Sequence, residues 1–275
     1  MNGRILCIII FLSPIYLKAQ WADSLKFNDI RLGIGHIEYM NSTNLSSGLP
    51  GIVSRLEYRT GHLLKSNPNF MLEFGSRADY GYLLKNDIST DLNSPFHHGE
   101  IKIDFICHRQ IPTSISHLFL DGGIGISFNG LIGDNSLTMR IGSVFDPYGN
   151  WYFSPDLHFN VTYKTKRLNI RLSLNAPLVA AGFFQEYQSA PAVANDKFSN
   201  HPLNYFLSPN SVALINNYFR IEMNSSITYL VYTTKKANYY LKANYTYESL
   251  NASINHNIEK KQKELLSLGL LITKK

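Results

Sequence analysis

The chain has 275 residues, with 26 Lys plus Arg against 20 Asp plus Glu, and its 17% charged content lies below the roughly 25% of soluble domains. The formal charge of +6 is mild, and basic residues gather in turn-like places such as Lys164, Lys166 and Arg167, or Lys235 and Lys236, so nucleic-acid binding has little support. Only two cysteines, Cys7 and Cys107, are present, and no apolar run after the N-terminus is long enough for a membrane-spanning helix.

Residues 1–19 carry a positive start at Arg4, an apolar run from Ile5 to Leu17, and Ala19 before Gln20, the three-part layout of a secretory leader. The run is too short for a spanning helix, so cleavage after Ala19 is expected, leaving residues 20–275 as a single domain. Removing Arg4 and Lys18 lowers the basic count from 26 to 24 against 20 acidic residues, a charge near +4. Cys7 leaves with the leader, so no internal disulfide can form.

Ten stretches of alternating residues follow. They lie near Phe27 to Met40, Ile52 to Leu64, Phe70 to Leu84, Glu100 to Arg109, His117 to Asn129, Trp151 to Thr165, Leu168 to Ala176, Leu214 to Tyr232, Asn238 to Leu250 and Leu265 to Thr273. Each reaches about the 9 to 11 residues that a tilted membrane-spanning strand needs. The third shows the pattern best: Phe70, Leu72, Phe74, Ala78, Tyr80, Tyr82 and Leu84 share one parity, and Glu73, Gly75, Arg77, Asp79 and Gly81 share the other. The links between stretches alternate long and short, with Asn41 to Gly51, Asn86 to Gly99, Gly130 to Asn150, Pro177 to Ala213 and Asn251 to Glu264 as the long set. An even number of strands with long outer links and tight inner turns is the layout of a bacterial outer-membrane barrel. The expected fold is all-β, a transmembrane antiparallel up-and-down barrel of ten strands. Twelve is the alternative, because Leu137 to Phe145 also alternates.

With the apolar parity facing lipid, the lumen receives Arg55, Glu57, Arg59, Glu73, Arg77, Asp79, Lys102, Asp104, Arg220 and Glu222, and further along Asp121, Asp156, His158, Arg171, Lys242 and Glu248. Mixed signs suit a paired network that fills a narrow barrel better than a selective pore, which would be lined by rings of one sign. The long seventh link carries Phe183, Phe184, Tyr187 and Tyr205 among prolines, and is expected to cover the extracellular mouth.

Ser154, Asp156 and His158 share one strand face, with Ser127 a candidate on the adjacent strand, and these supply the residue types of a hydrolase. A catalytic site on the barrel exterior would need the opposite parity, and the glycine after Ser127 that a nucleophile elbow requires is missing. His97, His98, His201 and His256 are read as solvated loop residues, with no metal and no cofactor expected.

The leader ending Lys18-Ala19-Gln20, the loop from Asn44 to Gly51, and Ala176-Pro177-Leu178 leading to Phe184 and Tyr187 resemble uncharacterised outer-membrane barrel proteins of the Bacteroidetes type. The resemblance implies fold and location and brings no catalytic residue. Ala180, Gln188 to Pro191, and the non-aromatic end Ile272-Thr273-Lys274-Lys275 depart from that pattern. The expected role is non-enzymatic: structural, surface-interacting, or a narrow passage for small solutes, with a lipid-modifying hydrolase as the alternative. Outer-membrane lipids and the barrel-assembly machinery are the expected partners, with no ligand indicated.

Overall fold

The structure is a computed structural model that describes residues 26–41, 48–64, 67–84, 95–111, 113–135, 148–183, 211–254 and 257–274. Its strands are β1 (Lys26–Asn41), β2 (Leu49–Leu64), β3 (Asn67–Leu84), β4 (Pro95–Ile111), β5 (Leu118–Asn135), β6 (Tyr148–Lys164), β7 (Leu168–Pro177), β8 (Val179–Phe183), β9 (Ser211–Leu214), β10 (Tyr218–Thr233), β11 (Ala237–Ile254) and β12 (Asn257–Lys274). All pair antiparallel, β12 closes onto β1, and β5 joins β6, so the sheet has no open seam.

Ten strands build the wall, and β8 and β9 are continuations of two of them. Leu178 interrupts the seventh strand, whose two parts, β7 and β8, both pair with β6. Residues 215–217 form a turn that interrupts the eighth strand between β9 and β10. The two additional strands therefore arise from interruptions, whereas Leu137 to Phe145, the basis of the twelve-strand alternative, lies outside the described residues.

Following the register from Gly33 through Arg55, Asp79 and Glu100 reaches β5 at Leu131, whereas the other way round reaches it at Phe119, twelve residues away. Such a stagger on ten strands tilts them by roughly 40°. A strand of 18 residues, such as β3, then rises roughly 45 Å, more than the roughly 25 Å of an outer-membrane apolar band.

The exterior follows the apolar parity. Leu268, Leu32, Ile34, Phe105 and Ile126 are all at least 60% exposed, each pointing away from the lumen. Towards the long-link end the outer face of β12 and β1 becomes polar, with Lys260, Gln262, Glu264, His36 and Glu38 exposed.

Turn chemistry explains the tight end. In the turn after β6 and again after β10, a threonine closes a two-residue connection: Thr165 N donates to Leu168 O at 2.8 Å, and Thr234 N donates to Ala237 O at 2.8 Å. Each threonine hydroxyl also accepts from the returning strand, from Leu168 N at 3.1 Å and Ala237 N at 2.9 Å. His117, at φ 68°, turns the chain into β5 in the left-handed region.

Strand pairing extends further than the sequence pattern suggests. The ninth link shrinks to residues 255–256, because β11 continues to Ile254 and β12 begins at Asn257. His97 and His98, expected in a loop, lie in β4 on opposite faces. Phe183, expected in the extracellular loop, ends β8 in register with Trp151 and is buried. Backbone pairing satisfies N–H and C=O groups whatever the side chains, so it runs on beyond the exposed apolar band, where hydrophobic alternation no longer marks it. Phe184, Tyr187 and Tyr205 lie outside the described residues.

Candidate functional site

The barrel interior holds two joined layers of ion pairs. The first centres on Arg77, whose guanidinium donates to Glu222 at 3.0 Å, Glu248 at 3.1 Å and Glu100 at 3.4 Å. Cross-strand register supplies the next pair: Arg55 faces Asp79 and grips both of its oxygens, at 2.7 and 2.8 Å. Lys102 reaches Glu222 at 3.2 Å, and Arg220 reaches Glu248 at 2.8 Å. β12 contributes Lys261, which is 2.8 Å from both Glu100 and Glu248, and Lys263, which bonds Asp79 at 2.6 Å and also Glu100. Glu248 and Lys263 are wholly buried.

The second layer is nearer the tight turns. Arg59 bridges Glu57 at 2.6 Å, Glu73 at 2.6 Å and Asp104 at 3.3 Å, and Asp104 lies 4.0 Å from Lys102, which links the layers. Arg31 joins Glu57 at 2.6 Å and Asp29 at 3.3 Å, and Lys242 caps Asp29 at 2.6 Å. His108 spans Asp121 at 3.1 Å and Glu73 at 3.4 Å. Interior glycines make room for these groups: a Cβ on Gly75 would sit 2.1 Å from Asp104 Oδ1, and one on Gly269 would sit 2.4 Å from Arg31 Cγ.

Of the sixteen residues assigned to the lumen from the sequence, Arg55, Glu57, Arg59, Glu73, Arg77, Asp79, Lys102, Asp104, Asp121, Arg220, Glu222, Lys242 and Glu248 belong to ion pairs, and Asp156, His158 and Arg171 have none among the described residues. The sequence-selected set leaves out Asp29, Arg31, Glu100, Lys261 and Lys263, although Glu100 shares the parity of Lys102 and Asp104. The last two are recoverable by extending the inward parity of Ser267 and Leu265 back along β12.

Towards the long links, two apolar clusters cover the charges. One packs Ile37, Tyr39, Leu49, Val53, Leu83, Leu131 and Leu265, and the other packs Tyr152, Ala180, Ala213, Tyr218, Leu250, Ala252 and Ile254. The second is tied to the ionic layer, as Tyr218 donates to Tyr152 at 2.7 Å and Arg220 donates to the Tyr152 hydroxyl at 3.0 Å. His98 stands at the boundary of the first, 4.7 Å from the Tyr39 ring and 3.8 Å from Glu100.

Ser127 and Ser154 face each other across β5 and β6, buried inside the wall. Ser154 Oγ donates directly to Asp156 Oδ1 at 2.8 Å, and His158 Nε2 has no hydrogen-bond partner, its ring lying against His108 at 5.9 Å. A hydrolytic triad needs the imidazole between serine and acid, so this arrangement does not activate a nucleophile. On the outer face, the Tyr80 hydroxyl lies 2.6 Å from His97 Nδ1. His201 and His256 lie outside the described residues.

The space that remains lies along β6, β7 and β10, where inward residues are short: Ser173, Asn175, Asn224, Ser226 and Thr228. At the tight-turn end a cavity of about 180 Å³ is lined by Phe27, Asp29, Arg59, Met71, Glu73, Arg171 and Lys242 among others. A second, of about 60 Å³, shares Arg59, Glu73, Arg171, Ser226 and Lys242 with it, and a third of about 10 Å³ follows at Asn175, Arg220 and Glu222.

No protein-family model matches the chain, and no curated protein matches it. Among solved structures it is similar to the outer membrane protease OmpT from Escherichia coli, at 11% identity and a TM-score of 0.49, covering 94% of this chain and 99% of that one. It is also similar to the transport unit of the autotransporter AIDA-I from Escherichia coli, at 7% identity and a TM-score of 0.44, covering 99% and 97%. The translocator domain of the autotransporter NalP from Neisseria meningitidis aligns at 7% identity and a TM-score of 0.42, covering 98% and 94%.

Proposed function

We propose that this chain is a bacterial outer-membrane barrel whose lumen is closed by its own ion pairs, and that it serves the envelope as a structural or surface-interaction protein without catalysis. The observation that carries this reading is the cross-lumen network joining Arg77 on β3 to Glu222 on β10 and Glu248 on β11. Such contacts tie facing walls together, and the apolar clusters lie over them. The outward leucine and isoleucine band supports a lipid surround. Residues 1–19 act as the export leader, and the barrel-assembly machinery and outer-membrane lipids are the partners. The mature protein should begin at Gln20, fractionate with the outer membrane and run with heat-dependent mobility on gels. In planar bilayers it should give no steady open-pore current. Recovery as a soluble periplasmic protein would overturn the location, and a sustained wild-type conductance would overturn closure.

A narrow passage is the second reading, favoured by the tapering cavities that share lining residues along β6, β7 and β10. Conductance that appears only when Asn175 or Glu222 is replaced by alanine would place a constriction there.

A further inference from the structure

We propose that the tight-turn end of the barrel is a binding site for a small organic carboxylate, anchored by Arg171. This inference rests on the geometry of that end and holds whether the lumen above it is closed or narrowly open.

Arg171 differs from the other interior arginines. Arg31, Arg55, Arg59, Arg77 and Arg220 each have a carboxylate within ion-pair distance, whereas among the described residues Arg171 has none. Its Nε is buried without a hydrogen-bond partner, as are those of Arg31 and Arg77, but those two guanidinium groups bond carboxylates through their other nitrogens. The register explains why it is left with space: its cross-strand neighbours are Thr162 on β6 and Ser226 on β10, both too short to reach across to it or to fill the volume beside it. The contrast is with β2 and β3, where Arg55 faces Asp79 and Glu57 faces Arg77. Arg171 therefore borders the cavity of about 180 Å³ with no carboxylate in ion-pair contact, Glu73 on the same lining being held by Arg59 and His108.

The remaining lining sets the ligand's chemistry. Lys242 is already paired with Asp29 at 2.6 Å and Arg59 is shared by three carboxylates, so of the guanidinium groups on a lining that also carries Lys26 and Lys164, Arg171 is the one with no carboxylate in contact. A single carboxylate on Arg171 suits the site, since Asp29, Glu73 and Asp121 on the same lining would repel a second negative charge. Phe27, Leu63, Met71, Phe119 and Leu271 supply an apolar wall, which asks for a hydrocarbon body behind the carboxylate. The volume is below that of drug-sized pockets, which start at roughly 300 Å³, so the body is short.

The test uses the full mature barrel in lipid nanodiscs, with hexanoate titrated by calorimetry against empty nanodiscs to remove partitioning. Saturable binding to the wild type is expected, with hexanol and hexylamine giving none above the lipid background. Arg171→Gln should weaken hexanoate by about tenfold or more, the scale of a lost charge-assisted hydrogen bond. Arg171 has no carboxylate partner to strand, so this variant keeps the fold, which heat-dependent gel mobility checks. Thr162→Phe, which fills the space beside Arg171 and leaves its charge intact, should also abolish binding. Absence of saturable hexanoate binding to the wild type, equal binding of hexanol, or undiminished binding by folded Arg171→Gln would each overturn the proposal and leave the cavity as a water-filled vestibule.

Discussion

Glu248→Gln removes one charge from the ionic core while keeping the shape of the side chain. The Glu248 carboxylate lies 2.8 Å from both Arg220 and Lys261, 3.1 Å from Arg77, and 3.8 and 3.9 Å from Arg55 and Lys263. At an effective dielectric constant of about 20, each of the three short contacts has a gross attraction of at least about 4 kcal/mol. Much of that is recovered elsewhere, because Arg77 keeps Glu222 at 3.0 Å, Arg220 keeps Glu100 at 3.3 Å, and Lys261 keeps Glu100 at 2.8 Å. What is not recovered is the surplus of buried positive charge, and breaking a buried pair in this way costs about 3–5 kcal/mol. Urea unfolding of the barrel in lipid vesicles measures it. Adding Lys261→Met to Glu248→Gln removes the excess cation, so the double variant should lose less than the sum of the singles. A Glu248→Gln loss under about 1 kcal/mol with strict additivity would refute the reasoning, since it would mean that the core is hydrated enough to screen its charges.

Leu268→Arg, at a residue 72% exposed on the outer face, should cost about 2–4 kcal/mol in lipid, as expected near the bilayer midplane. The same unfolding assay reads this, and a neutral result would move the membrane band away from Leu268. Trypsin added to intact cells should cut at Lys197, which belongs to the long seventh link and lies outside the described residues, and spare Lys166 and Lys235 until the membrane is opened; labelling of Lys235 but not Lys197 from outside would invert the topology. His117→Val should destabilise by about 1–2 kcal/mol by placing a β-branched residue at φ 68°, whereas His117→Gly should fold at least as well at that turn, and equal stability of the two would refute the strain.

The sequence pattern is clearest where an apolar exterior and a charged lumen impose opposite demands. From Phe70 to Leu84, the outer face carries Leu72, Tyr80 and Tyr82 and the lumen takes Glu73, Arg77 and Asp79, so the alternation is sharp. The run Lys260 to Glu264 reads as a loop for the converse reason. There the outer face meets water, and Lys260, Gln262 and Glu264 are as polar as the inward Lys261 and Lys263 between them. Two polar faces leave no period-two signal, although the backbone pairs with Met40, Tyr39 and Glu38 of β1 as regularly as lower down. The continuation of the seventh strand past Pro177 is hidden for a different reason: a proline followed by the Leu178 bulge looks like a stop, yet Leu178 N still donates to Pro155 O at 2.8 Å. Arg171 was legible as an inward residue. Its lack of a partner was not, because that depends on Thr162 and Ser226 arriving from strands set by the register.

The ionic core also dictates the order in which the protein can mature. Its bonds join positions far apart along the chain, with Lys263 reaching Asp79 across 184 residues and Arg77 reaching Glu248 across 171. Neighbouring strands cannot complete it between themselves. A sheet inserted up to β10 would leave Asp79 with Arg55 and Glu100 with Arg77 but both without the two lysines of β12, so hydrogen-bond propagation alone would leave it electrostatically unfinished. The last strand therefore delivers the countercharges as it meets β1, and closing the wall and neutralising the lumen become one event. A chain truncated before Lys261 would lose both the closing strand and the cations that make the centre tolerable, so it would fail at the final step rather than form a slightly shorter barrel.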